Sequence, residues 1–310
     1  MKPSSEQDSS PKTRCVFVAL IGAPNAGKST LLNRLVGEKV SIVSRKPQTT
    51  RCRVVGIVAR QETQIVLVDT PGIFAPRRKL DRAMVAAAWE GMTEADMTLL
   101  LVDASRPRPA HAVMPVLEEL AKRQRKVILI LNKIDRVPPP HLLPLTEQLM
   151  ATGVVTDVFM ISAMTGDGVE DVMTHIAGNA PEGPWHYPAD QVTTLPLRLF
   201  AAEITREKVF EALHEELPYS AAVETEAWEE FKNGSVRIVQ TIFVQRDSQR
   251  AIVLGAGGQQ LKRIGQAARL ELEKILENRV HLSVHVKVKA DWAERAEHFR
   301  DWGLDPSAKG

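Results

Sequence analysis

Lys28 follows a glycine-rich turn, "GAPNAGKST" at residues 22–30, and that spacing points to anion chemistry. Gly22, four residues, then Gly27-Lys28-Ser29 is the pattern in which backbone N–H groups turn inward onto phosphate oxygens. Ala23, Pro24, Asn25 and Ala26 form the turn between the two glycines. Lys28 would neutralise β- and γ-phosphate charge, Ser29 would offer a hydroxyl to Mg2+, and Thr30 would enter a helix whose N-terminal dipole adds to the cradle. "DTPG" (Asp69, Thr70, Pro71, Gly72) ends an apolar run, so Asp69 can reach Mg2+ through water and the Gly72 N–H can meet a γ-phosphate. "NKID" (Asn132, Lys133, Ile134, Asp135) brings a carboxylate that can accept from both N1–H and the N2 amine of guanine, a donor pair that adenine lacks. Ser162-Ala163 would set a backbone N–H against guanine O6. Thr49-Thr50, inside Gln48, Thr49, Thr50, Arg51, Cys52, would complete the Mg2+ shell when a γ-phosphate is present. Any one of these is compatible with a solvated turn. All of them, in order and at strand ends, spell a guanine-nucleotide site, with Lys28, Thr50 and Gly72 as the reaction's candidates.

Such loops need a scaffold that brings strand ends to one edge. The runs at 15–22, 64–69, 97–103, 126–132 and 157–162 are almost wholly apolar, as strands of a parallel sheet covered on both faces are. Helical patterns such as "STLLNRLVG", "KLDRAMVAAAWEGM" and "AVMPVLEELAKR" alternate with them. The expected class is therefore α/β, doubly wound, with every loop above at one sheet edge. "GNAPEGPWHYPAD" (178–190) interrupts the pattern with proline and glycine and reads as a linker. Beyond it the order changes to a helix "TREKVFEALHEEL", two β-like runs, a second glycine loop, a long helix from residue 259 and a strand at 281–289, a small α+β unit.

At 310 residues there is room for about two domains. A net charge of +2 does not announce a nucleic-acid binder, although Arg246, Arg250, Lys262, Arg263 and Arg269 gather around the second loop. Two cysteines, Cys15 and Cys52, make no disulfide framework, and no apolar run is long enough to span a bilayer. The polar, serine-rich N-terminus has no apolar centre and reads as a frayed tail, which leaves a soluble cytoplasmic protein as the expectation.

The second loop, "VLGAGGQQLKRIG" (253–265), admits three readings. A dinucleotide fingerprint fails, because its last glycine position is Gln260. A plain structural turn is open. The third is the G-x-x-G loop of a KH domain, Gly255, Ala256, Gly257 and Gly258, which clamps a single-stranded nucleic-acid backbone. Ile252, Val253 and Leu254 before it and Leu261, Ile264 and Ala268 after it give packing faces, leaving Lys262 and Arg263 for phosphates. Lys287 and Lys289 share one face of the last strand, solvated edge or RNA face alike. Arg206 and Lys208 read as a helix-surface pair, and Arg51 and Arg53 as surface charge without a role.

The spelling "GxPNxGKS…QTTR…DTPG…NKxD…SA", followed by a small α+β domain, resembles the Era-like subfamily of translation-factor-type GTPases. The resemblance covers essentially everything after the first dozen residues. It implies a P-loop GTPase domain (14–178), a linker (179–192) and a type II KH domain (193–303), flanked by a disordered tail (1–13) and a second tail (304–310). It implies turnover of GTP to GDP and phosphate with Mg2+, slow without help because Ile73 stands where Ras-type proteins have the glutamine that orients water. It assigns Asn25 a catalytic part, holding a K+ that stands in for an arginine finger; from the residue alone, Asn25 is a turn former. The partners implied are 16S rRNA near its 3′ end and the 30S subunit during assembly, with a monomeric chain, no DNA, and peripheral contact with the inner face of the cell membrane. No amphipathic anchor is evident for that contact; "DWAERAEHFRDWGL" reads more simply as a docking helix. Family members usually carry a basic or polar residue inside G-x-x-G, whereas here Ala256-Gly257 removes a side-chain phosphate contact. Two other classes stay open: a GTPase coupled to tRNA modification, and a signalling or membrane-associated GTPase whose C-terminal domain binds a protein.

Overall fold

A strand without polar interruption must be covered on both faces, and β1 (Arg14–Gly22) is accordingly central, parallel to β3 (Thr63–Asp69) on one side and to β4 (Met97–Asp103) on the other. The computed structural model describes residues 13–44, 46, 49–74, 76, 79–213, 221–290, 292, 302 and 304–305. With β2 (Val54–Arg60), β5 (Val127–Asn132) and β6 (Val155–Ile161) the sheet runs β2-β3-β1-β4-β5-β6, parallel except for β2. Val16, Val18 and Leu20 face one apolar layer with α1 (Lys28–Val36) and α5 (Val169–Gly178). Ala19 and Ile21 face the other, with α3 (Pro109–Lys122) and α4 (Leu142–Met150); α2 (Lys79–Glu94) contributes to both. That alternation is the two-residue period of a strand, and it makes the sheet doubly wound as expected. The antiparallel edge strand β2 is not among the apolar runs listed above, because its run "VVGIVAR" is broken by Gly56.

The second domain runs α6 (Leu197–Ala212), β7 (Ala221–Glu230), β8 (Val236–Val244), α7 (Asp247–Leu254), α8 (Gln259–Leu276) and β9 (Val280–Val288). β7 is antiparallel and β9 parallel to β8, and the helices cover one face of this sheet. Residues 252–254, read as a lead-in to the glycine loop, are the last turn of α7; Val253 is buried but Ile252 is 56 % exposed.

The connector does not hang free. Cys15 N–H donates to Pro181 O (3.2 Å), and Gln64 accepts from the His186 and Tyr187 amides (2.8 and 3.1 Å) while donating to Tyr187 O (2.7 Å). Ile57 N–H donates to Val192 O (2.9 Å), and the Thr193 hydroxyl to Val55 O (2.7 Å). At the termini, the disordered-tail and docking-helix expectations fall mostly outside the described residues. Thr13, however, exchanges hydrogen bonds with Gly183. The 304–310 tail needs correcting at its start: Leu304 is buried in an apolar cluster with Cys52, Trp292 and Trp302.

Candidate functional site

The five nucleotide motifs line one cavity of about 1140 Å³ at the C-terminal ends of β1, β3, β5 and β6. β1 stops at Gly22 and α1 begins at Lys28, so the intervening turn must reverse tightly. Gly27 holds φ 102°, and a Cβ there would lie 2.2 Å from Asn132 Nδ2, so this position accepts only glycine. Asn132 ties three motifs together: its Nδ2 donates to Ala26 O (2.8 Å), and its Oδ1 accepts from the Lys133 and Ala163 amides (2.8 and 2.9 Å). Ala23 O accepts from the Ala26 amide (3.2 Å), and Thr30 lines the cavity one turn into α1.

Lys28 is buried and donates to Gly22 O (3.2 Å) and Ala23 O (3.3 Å). Burial pushes its ammonium below the ordinary lysine value, partly offset by Asp69. Burial likewise pushes the fully enclosed Asp69 carboxyl up, against the pull of Lys28 and of hydroxyl donors. Asp69 Oδ2 accepts from Ser29 Oγ (2.6 Å) and Ser41 Oγ (3.2 Å), and Ser29 Oγ lies 2.9 Å from Thr50 Oγ1. Asp69 Oδ1 is buried without a partner. Converging hard oxygens with an orphaned carboxylate oxygen fit Mg2+, which takes one or two protein groups and leaves the rest of its shell to phosphates and water. Thr70 turns away, its hydroxyl donating to Leu20 O (2.9 Å). Pro71 is buried, Gly72 lies against Pro24, and the Ile73 amide donates to Gly22 O (3.0 Å) while its side chain packs on the apolar layer.

At the base end, Asp135 sits exposed on the cavity wall in a single 3-10 turn, Ile134–Arg136, with Ile134 packed beneath it. Lys133 donates to Asn25 O (2.8 Å) and to Asp103 Oδ2 (2.6 Å). Asn25 itself holds φ 64°, the left-handed region that asparagine tolerates. The Ala163 amide donates to Asn132 Oδ1, which holds the Ser162-Ala163 turn against the base end of the cavity. Ser162 Oγ accepts from the Thr165 amide (3.2 Å) and so shapes that loop. Two contributors were missed. Asp103 ends β4; burial would raise its carboxyl, but hydrogen bonds from Lys133 and Ser105 outweigh it and hold it low. Arg106 donates to Pro24 O (2.9 Å), bracing the phosphate turn. A carboxylate closing the apolar run "MTLLLVD" was the available signal.

The segment from Thr49 to Cys52 is buried, and Gln48 lies outside the described residues. Arg51 is not surface charge: it is 3 % exposed, donates to Ala221 O (2.7 Å), and lies over the Phe210, Trp292 and Trp302 rings. Arg53 pairs with Glu94 (2.8 Å) near the surface. Burial pushes the Cys52 thiol far up, so it is no nucleophile. Arg206 and Lys208 also need correcting. Arg206 is 1 % exposed, and Lys208 is held by Glu271 (2.6 Å), Glu207 and Glu211.

The second loop is open. Gly255 carries φ 69° and abuts Gln260, but a Cβ at Gly257 or Gly258 would meet nothing within 4 Å. Among the described residues the Ala256 and Gly257 amides donate to nothing; the Gly258 amide donates back to Gly255 O (3.2 Å). α8 starts immediately after; its Gln259 amide donates to Ala256 O, and the helix's positive N-terminal end lies at this face. Lys262 and Arg263, one turn on, are exposed and unpaired among the described residues, and Ile252 in the last turn of α7 is an exposed apolar side chain. Arg269 pairs with Glu273 (2.7 Å), Lys287 with Glu226 (2.8 Å), and Lys289 lies over Phe243, so these face away from such a role.

A doubly wound sheet carrying a phosphate turn, a magnesium-competent oxygen set and a guanine-directed carboxylate, fused to an α-β-β-α-α-β unit with an open G-x-x-G loop, is a P-loop GTPase joined to a KH domain. Residues 17–133 match the model of the "50S ribosome-binding GTPase" family and residues 216–293 that of the KH domain. GTPase Era of Caulobacter vibrioides is 58% identical over 311 residues, covering 96% of this chain and 98% of the relative. GTPase Era of Maricaulis maris is 54% identical, covering 94% and 97%. A solved structure of Era in complex with MgGDPNP and nucleotides 1506–1542 of 16S ribosomal RNA matches with TM-score 0.86 and 40% identity, over 94% of this chain and 99% of that one. The chain belongs to the Era family of GTPases, and it is an enzyme that hydrolyses GTP.

Proposed function

We propose that this GTPase couples its nucleotide cycle to binding of 16S rRNA near the 3′ end, and that it acts in assembly of the small ribosomal subunit. The observation that carries this is the open amide face of Ala256 and Gly257 at the start of α8, in a chain that shares its fold with an Era bound to that RNA region. In this reading the backbone of residues 22–30 binds the phosphates, Lys28 neutralises them, and Asp135 selects guanine. Ser29, Thr50 and, through water, Asp69 would hold Mg2+, which supplies positive charge to the phosphates. Thr50 and Gly72 report the γ-phosphate, so GTP orders both switch segments and shifts the KH domain toward an arrangement competent for RNA. Ile73 cannot orient water, so intrinsic turnover is slow. The reading puts the protein in the cytoplasm, with contact at the membrane's inner face peripheral; among the described residues no helix is long and apolar enough to cross a membrane.

The test is affinity for an oligonucleotide of the 16S 3′ end, measured with GDP and with a non-hydrolysable GTP analogue over a range of salt. Ala256 is exposed, so Ala256→Lys should tighten binding and steepen the salt dependence by about 0.7 in log–log slope, one added phosphate contact on a single strand; Ala256→Asp should weaken it. Equal affinities for all three proteins would remove the loop from the interface. Indifference to an oligonucleotide of this sequence at low salt would favour a protein-binding C-terminal domain. For Asn25, replacing K+ by Na+ should slow hydrolysis roughly 10²-fold, the lower end of what one electrostatic contact made in the transition state supplies, and Asn25→Ala should abolish the difference. A rate blind to the cation ends that assignment.

A further inference from the structure

Between α1 and β2 the chain forms no regular element among the described residues, yet it must present Thr50 to Ser29 with hydrogen-bond accuracy. Before Thr50 the nucleotide domain grips this stretch around Val40 and Ser41: Asn33 accepts from both amides at 2.9 Å, Asp69 accepts from the Ser41 hydroxyl (3.2 Å), and Val40 joins its apolar core. Most other contacts come from α6 of the KH domain. Ile42 is buried among Phe200, Ile204 and Leu272. The Val43 amide donates to Glu207 (2.7 Å), Lys39 pairs with Glu207 (2.5 Å), and Lys46 donates to the Phe210 and Leu213 carbonyls at the end of the helix.

The contact nearest the chemistry is made by Arg206. Its Nε donates to Glu203 Oε1 (2.7 Å) and its Nη2 to Glu203 Oε2, a forked pair within one helix that fixes the rotamer. Nη2 also donates to Thr49 O (2.5 Å), the carbonyl of the peptide that leads into Thr50. The guanidinium plane lies over Phe210 (5.2 Å to the centroid), and Nη1 is buried without a partner. A buried Arg–Glu pair serving only α6 would have no reason to extend a donor to the other domain's loop. We propose that Arg206 is a positioning residue for the GTP reaction: it fixes the Thr49–Thr50 peptide so that the Thr50 hydroxyl faces the Ser29–Asp69 oxygens. The RNA-binding half thereby supplies part of the γ-phosphate end of the nucleotide site.

This rests on Thr50 being the residue that answers to the γ-phosphate, and it distinguishes GTP from GDP. Base and β-phosphate contacts arise from other loops, so loss of the arm should spare GDP. Lysine in this place keeps a charge for Glu203 but has no fork to reach Thr49 O at the same time. We expect R206K to bind GDP as the wild type does, while affinity for a GTP analogue and kcat each fall about 10- to 100-fold, the scale of one lost charged hydrogen bond. Amide hydrogen exchange at residues 49–52 should accelerate in the analogue complex, with residues 22–30 unchanged. E203Q/R206M, which leaves no buried charge unpaired, should behave alike, and its GDP affinity reports whether it folds; if it does not fold, R206K alone decides. Equal losses for GDP and analogue would make Arg206 a packing residue, and no loss for either would make it idle; both overturn the proposal. Wild-type protein whose 49–52 exchange ignores the γ-phosphate would instead defeat the reading of Thr50 itself.

Discussion

Asp135→Asn should lower GTP affinity by about three orders of magnitude and raise that for xanthosine triphosphate, restoring most turnover with the new base. The carboxylate lies exposed on the cavity wall, carried by a short turn whose backbone is fixed by Asn132 and packed Ile134. Asparagine has nearly the same shape, so the turn should not move. What changes is the pattern of donors and acceptors. Guanine offers two donors on that edge, and the amide NH2 can face neither productively; xanthine replaces the exocyclic amine with a carbonyl, which the NH2 satisfies. Two charge-assisted hydrogen bonds at about 1.5–3 kcal/mol each bound the loss at roughly 10²–10⁴. Competition binding between the two triphosphates measures it. A variant that still prefers guanine over xanthine would mean the base is read elsewhere.

Lys28→Met should reduce kcat by about 10²–10³ and weaken GTP and GDP together. The ammonium is buried and held by the Gly22 and Ala23 carbonyls, so the phosphate turn itself fixes its position. Methionine fills the same space without charge. Because enclosing an ammonium costs free energy, the nucleotide-free variant should melt no lower than wild type, while added GDP no longer raises Tm. This response differs from that expected of R206K, which should separate the two nucleotides. Calorimetry with and without GDP checks it; a variant still strongly stabilised by GDP would show that Lys28 carries little of the binding.

Features set by local spelling were legible. The phosphate turn, the aspartates after apolar runs and the guanine motif declare themselves by residue type and spacing, because each is a short loop joined to one strand or helix. Central strands were legible because parallel strands covered on both faces must be apolar throughout. Edge strand β2 and the two-turn helix α7 were not, the first interrupted by Gly56 and the second too short to display a period. The largest misreadings were Arg51 and Arg206. Each sits in a sequence that suits an exposed charge, and nothing local reveals burial imposed by the other domain. Lys39–Glu207 and Arg206–Thr49 join residues more than a hundred positions apart, beyond the reach of any periodicity.

The connector stitched along β2 and β3 limits what a nucleotide cycle can do mechanically. The last stitch is Thr193 and α6 begins at Leu197, so Thr194, Leu195 and Pro196 form the whole joint, with Pro196 stiffened at φ −58°. Fully stretched, such a joint spans about 10 Å. The C-terminal half can swivel on this pivot but cannot be paid out like a line, so a captured strand of RNA stays at nearly constant range from the joint while its orientation turns.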